Sequence, residues 1–323
     1  MSEQSGSNIA FSPKRIAILG ATGHIAKNVM LGLSVQTSFV IYAFSQSVQR
    51  LSAELERLHL TGQIQANDYS EFPSLKFDVV INCTGIGNPK TLASDASLVF
   101  RVTETFDALV LDYLDKHPNV LYINCSSGAV YGNRFDKPAG ADHRLSLDIN
   151  GVNTSDYYGI AKLNAEAKHR SLSHLSIIDL RIFGFFSAWI DPDSSFLLMD
   201  LVNAARNNTP FLTTSENMYR DYVHPEDLTA LILLCIYAEP QNRAFDVYSK
   251  QPISKNEILD FFVKTYGVRI QFKETSPSSV SVTGLKPYYY SLDRSASERL
   301  AYNPEFSSLQ SISQTCNLLI QNT

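Results

Sequence analysis

The segment Arg15-Ile-Ala-Ile-Leu-Gly-Ala-Thr-Gly-His-Ile-Ala26 constrains the fold of this chain more than any other. The apolar run Ile16 to Leu19 reads as a strand buried on both faces, as in a parallel sheet. It stops at Gly20, and Gly23 and Ala26 follow at three-residue steps. Glycine at 20 permits a tight turn. Glycine at 23 lets the backbone approach a pyrophosphate at the positive start of the next helix, and alanine at 26 lets that helix lie close on the sheet. Strand, glycine turn and helix in that order form the G-x-x-G-x-x-A version of a dinucleotide-binding fingerprint.

The same strand–helix rhythm continues. The pattern predicts helices from about His24, over 48–59, 98–116 and 157–171, and strands over 39–44, 63–66, 77–83, 120–125 and 175–183. Nearly all-apolar strands separated by single helices mean a parallel sheet with both faces covered, and right-handed crossovers wind it into an α/β Rossmann-type doubly wound domain. After Gly184 the rhythm weakens. A helix is expected over 196–207, a short strand then a helix over 221–238 started by His224-Pro225-Glu226-Asp227, a strand over 244–248, and a helix over 254–265 capped by Ser254 with Glu257. Residues 273–286 read as a Ser-rich loop. The expected organisation is a flexible tail (1–13), a dinucleotide-binding domain (14–184, with 219–248 returning to it), and a smaller mixed C-terminal substrate lobe (185–218 and 249–323).

Composition limits the partners. The chain has 323 residues, a net charge of −5 and no Lys/Arg-rich block, which argues against nucleic acid or an anionic membrane surface. The longest apolar stretch, 228–238, is too short to span a bilayer, and the polar residues 1–11 lack the apolar core of a signal peptide. Cys83, Cys125, Cys235 and Cys316 are far apart in sequence and lack metal-ligand spacing, so the expectation is buried inert thiols in a reducing cytoplasm and no metal.

Tyr158-Gly-Ile-Ala-Lys162 places a phenol and an ammonium four residues apart on one helix face. A free phenol titrates at about 10, and a nearby ammonium stabilises the phenolate. Tyr158 can then exchange a proton with a substrate oxygen near neutral pH. The fifth strand leads into Ser126-Ser127-Gly128, and serines at the carboxyl end of a parallel strand lie in the ligand crevice. Ser127 is the expected hydrogen-bond partner of the reacting oxygen, with Ser126 the local alternative.

Gly20-x-x-Gly23-x-x-Ala26, Ser127-x-x-Val-Tyr-Gly132, Tyr158-x-x-x-Lys162, Leu180-Arg-Ile-Phe183 and Arg220-Asp-Tyr-Val-His-Pro-Glu-Asp227 together resemble the extended short-chain dehydrogenase/reductases, in the nucleotide-sugar epimerase/dehydratase/reductase branch. The C-terminal 292–304 is similar to that branch as well. The resemblance implies a Ser127–Tyr158–Lys162 catalytic triad. It implies cofactor contacts at Gly20, Thr22, Gly23, His24, Ile25, Ser45, Arg50, Asp68, Thr84 and Lys162, with Asp68 toward the adenine. It implies substrate contacts at Ser126, Arg220 and Lys286, and a homodimer formed through the helices over 98–116 and 157–171.

Departures narrow the expectation. The second strand ends Ala43-Phe44-Ser45-Gln46-Ser47, without the acid that usually meets the ribose 2′-hydroxyl of NAD, so NADP(H) is preferred over NAD(H), with Ser45 and Arg50 near a 2′-phosphate. Gly128-Ala129 stands where the 4,6-dehydratases carry Asp-Glu, so dehydration lacks its acid and base. Gly184 replaces an asparagine that contacts the diphosphate in relatives, and Arg101 or Thr103 stands where the fourth helix commonly has another asparagine. The expected activity is an NADPH-dependent reduction of a keto-sugar, such as a nucleotide-linked 4-keto-6-deoxysugar, with Tyr158 as proton donor. The alternative is a nucleotide-sugar 4-epimerase that retains NAD.

Overall fold

The computed structural model describes residues 13–86, 94–273 and 286–321, so most of the expected tail and of the 273–286 loop lie outside the described residues. The strands are β1 (Lys14–Leu19), β2 (Phe39–Phe44), β3 (Ile64–Asn67), β4 (Val79–Asn82), β5 (Leu121–Ser127), β6 (Ile177–Ile182), β7 (Phe211–Thr213), β8 (Tyr219–Arg220), β9 (Asn242–Val247), β10 (Ile253–Ser254), β11 (Ile270–Phe272) and β12 (Tyr288–Tyr289). Seven of them form one parallel sheet in the order β3-β2-β1-β4-β5-β6-β9. This is the doubly wound Rossmann arrangement, with the order reversing between β1 and β4.

Side chains alternate across this sheet. Ile16 and Ile18 join the core on one face, with Val29, Met30 and Leu33. Ala17 and Leu19 join the core on the other, with Phe44, Val80, Val110 and Tyr122. The helices that cover the faces are α1 (His24–Ser34), α2 (Val48–Arg57), α3 (Leu98–Leu114), α4 (Thr154–Ser171), α5 (Leu197–Arg206), α6 (Pro225–Tyr237), α7 (Lys255–Tyr266), α8 (Ser295–Leu300) and α9 (Ser308–Gln321). A Cβ on Gly32 would lie 2.2 Å from Thr229 Oγ1, which is how closely α1 and α6 pack.

The expected strands and helices of the first half are present, with ends shifted by up to three residues. The C-terminal part builds a second core from Phe186, Met199, Val202, Ile258, Phe262 and Ile312, a three-stranded sheet β10-β8-β12 and a two-stranded sheet β11-β7. Of the segment 219–248, only β9 lies in the main sheet, and β8 pairs in the small one. His224 caps α6 by accepting from Glu226 N–H at 3.2 Å, and its other nitrogen lies 2.9 Å from Gln314 Oε1. Among the described residues no helix is long and apolar enough to cross a membrane.

Candidate active site

Gly20 turns the chain out of β1 with φ +72°, which favours glycine. A Cβ there would lie 3.0 Å from the Thr84 amide nitrogen and 3.1 Å from the Cys83 carbonyl. The loops after β1 and β4 therefore touch at the point where strand order reverses, the ligand crevice of such sheets. Gly23 caps α1 without a side chain, so the first-turn N–H groups and the positive helix end stay open. That cradle fits a dinucleotide pyrophosphate. The Gly20 N–H is taken by Tyr69 Oη at 2.9 Å, a contact the sequence did not reveal.

The neighbouring expected cofactor residues divide by environment. Thr22 is half-buried. Ile25 packs its side chain on the core, which leaves its backbone for a ligand. His24 Nε2 lies 2.8 Å from Ser187 Oγ, and burial, reinforced by the Lys27 charge, lowers its pKa to about 4. At neutral pH it is an uncharged ring. At the end of β2, Ser45 is buried, with Oγ 3.4 Å from the Ser47 amide, and Arg50 is exposed on α2. Asp68 caps the short 3-10 turn Tyr69–Ser74 by accepting from Ser70 N–H at 2.9 Å. Thr84 gives both its N–H and its hydroxyl to Asn82 Oδ1, at 3.0 and 2.6 Å.

β5 runs two residues further than expected and carries Ser126 and Ser127 at its carboxyl end. Ser127 caps the following 3-10 turn, Gly128–Tyr131, its Oγ accepting from Ala129 N–H at 3.2 Å. α4 starts three residues earlier than expected, at a reciprocal cap between Asn153 and Asp156, so Tyr158 sits in its second turn. Lys162 is buried, its Nζ 2.9 Å from the Cys125 carbonyl and 3.5 Å from the Thr84 carbonyl. The ammonium is thus held between the ends of β4 and β5. Tyr158 is half-buried, and its hydroxyl has no hydrogen-bond partner among the described residues, which leaves it free for a ligand. Tyr289 Oη lies 3.3 Å from Ser127 Oγ, and burial first, with Tyr158 adding to it, holds the Tyr289 phenol above its usual pKa. The Ser127 and Tyr289 hydroxyls thus meet at the end of β5, and the Lys162 ammonium lies on the Cys125 carbonyl of the same strand.

Ser126, expected at the substrate, instead donates to Glu166 Oε1 at 2.6 Å and is 4% exposed. Its neighbours explain this. The Glu166 carboxylate also accepts from Arg181 Nη2 at 2.6 Å, and Arg181 Nη1 donates to Tyr131 Oη at 2.9 Å. Tyr131 donates to Asp246 at 2.9 Å. A largely buried charge network therefore lies beside the end of β5, and Ser126 belongs to it. Cys83 and Cys125, distant in sequence, face each other with sulfurs 3.6 Å apart because β4 and β5 are neighbours.

Arg220 and Lys286 lie on the lobe side. Arg220 Nη1 donates to the Lys286 carbonyl at 2.6 Å, and Lys286 Nζ stands 4.6 Å from the Tyr289 ring centre. Burial, and then repulsion by Arg220, lower the Lys286 pKa to about 8. Neither cation is paired with a carboxylate among the described residues. Two cations without a carboxylate partner among the described residues, beside Tyr289, suit a doubly anionic ligand. No group of three His, Cys, Asp or Glu side chains is placed to hold a metal ion among the described residues.

A family model described as the NAD dependent epimerase/dehydratase family matches residues 16–248. The UDP-glucuronic acid 4-epimerase of Bacillus cereus, in complex with UDP-glucuronic acid and NAD, is similar in fold, with a TM-score of 0.79 and 18% identity over 96% of this chain and 100% of its own. The UDP-glucose 4-epimerase of Thermotoga maritima, solved with UDP-glucose, has a TM-score of 0.78 at 15% identity, covering 95% and 99%. The dTDP-glucose 4,6-dehydratase of Bacillus anthracis, solved with NAD, has a TM-score of 0.76 at 13% identity, covering 96% and 97%. No curated protein matches the chain in sequence.

Proposed function

The chain belongs to the NAD dependent epimerase/dehydratase family, whose members are NAD(P)-dependent enzymes of the extended short-chain dehydrogenase/reductase type, and from that premise we propose that it is a nucleotide-sugar 4-epimerase that keeps its dinucleotide bound. The observation that carries the choice over dehydration is at Gly128. A Cβ there would lie 2.4 Å from the Phe183 ring, so no carboxylate can follow Ser127 without displacing that ring. Ser127, Tyr158 and Lys162 are all present in the sequence, and the acid–base pair for eliminating water has no room beside Phe183. The folds named above, two of them nucleotide-sugar 4-epimerases, support the same reading.

The residues that would hold the cofactor are the Gly20–Gly23 cradle with the start of α1, the Thr84 loop and Lys162. When bound, the nicotinamide supplies a reversible hydride acceptor. Tyr158 takes the proton from the 4-hydroxyl and returns it to the oxygen on the opposite face. Lys162, held on the Cys125 and Thr84 carbonyls, would bond the nicotinamide ribose. Ser127 hydrogen-bonds the same oxygen, and Arg220 and Lys286 meet the diphosphate. In this reading α3 and α4 form a homodimer interface.

One observation favours a second reading, an NADPH-dependent keto-sugar reductase: Ser45 stands where an acid would select NAD. Two measurements separate them. The nucleotide extracted from purified protein is identified, and UDP-glucose and UDP-glucuronic acid are each incubated with it. Retained NAD and conversion to the 4-epimer without added cofactor are expected. Stoichiometric consumption of NADPH on a keto-sugar, with no epimer formed, overturns the epimerase in favour of the reductase. Tyr158→Phe is expected to lower kcat by about 10²- to 10⁴-fold.

A further inference from the structure

Tyr289 is not part of the motif-derived triad, yet it is built into the same site. Its ring is 9% exposed and wedged edge-on against Phe135 at 4.8 Å and tilted against Phe183 at 5.2 Å. The backbone on either side is pinned: Tyr288 N–H donates to the Phe135 carbonyl at 3.1 Å, and the Tyr290 carbonyl accepts from Ala139 N–H at 2.9 Å. The phenol therefore has one place to put its hydroxyl, 3.3 Å from Ser127 Oγ.

A serine hydroxyl has one proton to donate and two lone pairs to accept with. One Ser127 lone pair is filled by the Ala129 N–H at 3.2 Å, which can only donate. The direction of the Tyr289 contact then decides what Ser127 can do for a substrate. We infer that Tyr289 is a positioning residue that donates its hydroxyl proton to Ser127 Oγ, fills the second lone pair, and so directs the Ser127 proton to the reacting oxygen. Burial keeps the Tyr289 phenol protonated throughout the working pH range, as a donor must be. Reversing the polarity would give Ser127's only proton to Tyr289 and leave none for substrate. The inference rests on the proposed role of Ser127 in the epimerase.

The test is a double-mutant cycle on the holoenzyme with UDP-glucose and UDP-glucuronic acid as probes. Tyr289→Phe keeps the ring and its packing, and thermal melting checks that the variant folds. The expected result is a kcat about tenfold lower, with KM within about twofold, since one lost hydrogen bond to the catalytic group acts on the step and not on binding. Adding Tyr289→Phe to Ser127→Ala should cost nothing further, because Tyr289 acts only through that hydroxyl. A structural role would cost the same in both backgrounds. An active wild type matched or exceeded by Tyr289→Phe overturns the inference alone, as does full additivity with Ser127→Ala. A wild type that interconverts neither sugar overturns the proposed reaction, and the inference with it.

Discussion

A Cβ built on Gly159 would lie 2.4 Å from the carbonyl oxygen of Ala129. Gly159 sits between Tyr158 and the turn of the helix that carries Lys162, and Ala129 lies two residues beyond Ser127. The missing side chain is what lets α4 ride directly on the turn that follows Ser127. Gly159→Ala should push the helix outward at that point. Overpacking of this kind costs about 1–3 kcal/mol of stability, and a displacement approaching 1 Å costs about 10²-fold in kcat. Steady-state kinetics with a melting curve check this. Wild-type kcat in the variant would show that the helix does not depend on the close approach.

Gly184, where the resemblance leads us to expect an asparagine, has little room for a side chain. A Cβ at Gly184 would stand 2.5 Å from the Asp221 carbonyl oxygen and 3.1 Å from the Tyr222 ring. The strand segments pair there, Val223 N–H donating to the Gly184 carbonyl at 3.1 Å. Gly184→Asn should therefore destabilise the protein by about 1–3 kcal/mol and should not tighten nucleotide-sugar binding. Denaturant melts and calorimetric titration with UDP-glucose measure the two effects separately. A tighter complex with unchanged stability would contradict the steric account.

The Lys286 ammonium, lowered to about 8 by burial and the Arg220 charge, titrates within reach of ordinary buffers. An anionic ligand needs its charged form. Affinity for UDP should be greatest below pH 8 and fall by up to about tenfold per pH unit above it. Lys286→Arg keeps the charge and should move the fall to higher pH. Calorimetry between pH 6.5 and 9.5 reads both curves, and a flat wild-type profile would remove Lys286 from the anion site.

His169 is fully buried between two carboxylates, Nδ1 2.9 Å from Asp179 and Nε2 2.7 Å from Asp107. Burial alone would lower its pKa, but the hydrogen bonds and charges of Asp107 and Asp179 outweigh it and raise the pKa to about 9. The folded protein therefore holds this proton more tightly than the unfolded chain, where the imidazole titrates near 6.5. The contribution to stability is full below pH 6.5 and is lost as pH rises through 9. Melting temperature should decline across that window. His169→Asn should lower stability at pH 6 and flatten the decline, and an unchanged slope would locate the pH dependence elsewhere.

Sequence patterns revealed the main sheet because β1, β2, β4, β5 and β6 are short, largely apolar runs between turn signals, a local property. Ser127, Tyr158 and Lys162 could be singled out as candidates for a similar reason, since a spacing of four on one helix or a serine at a strand end is readable within a dozen residues. β7 and β11, three residues each and paired only with one another, carry no period to detect. α8 and α9 were missed as well, and α9 buries Ile312 and Cys316 in a core assembled from three distant segments. Ser126, expected at the substrate beside Ser127, is instead taken by Glu166, a partner 40 positions away that no local pattern announces.

The amino-acid sequence by itself determined which segments become strands and helices around the glycine turn, because apolar period, caps and φ-permissive glycines act over a few neighbouring residues. Only the tertiary structure decided that Tyr289 meets Ser127 across 162 positions, that Gly128 and Gly159 must lack side chains, and that Cys83 faces Cys125. Those are consequences of strand order and of backbones brought within van der Waals contact. A short stretch of chain carries no record of what will be packed against it.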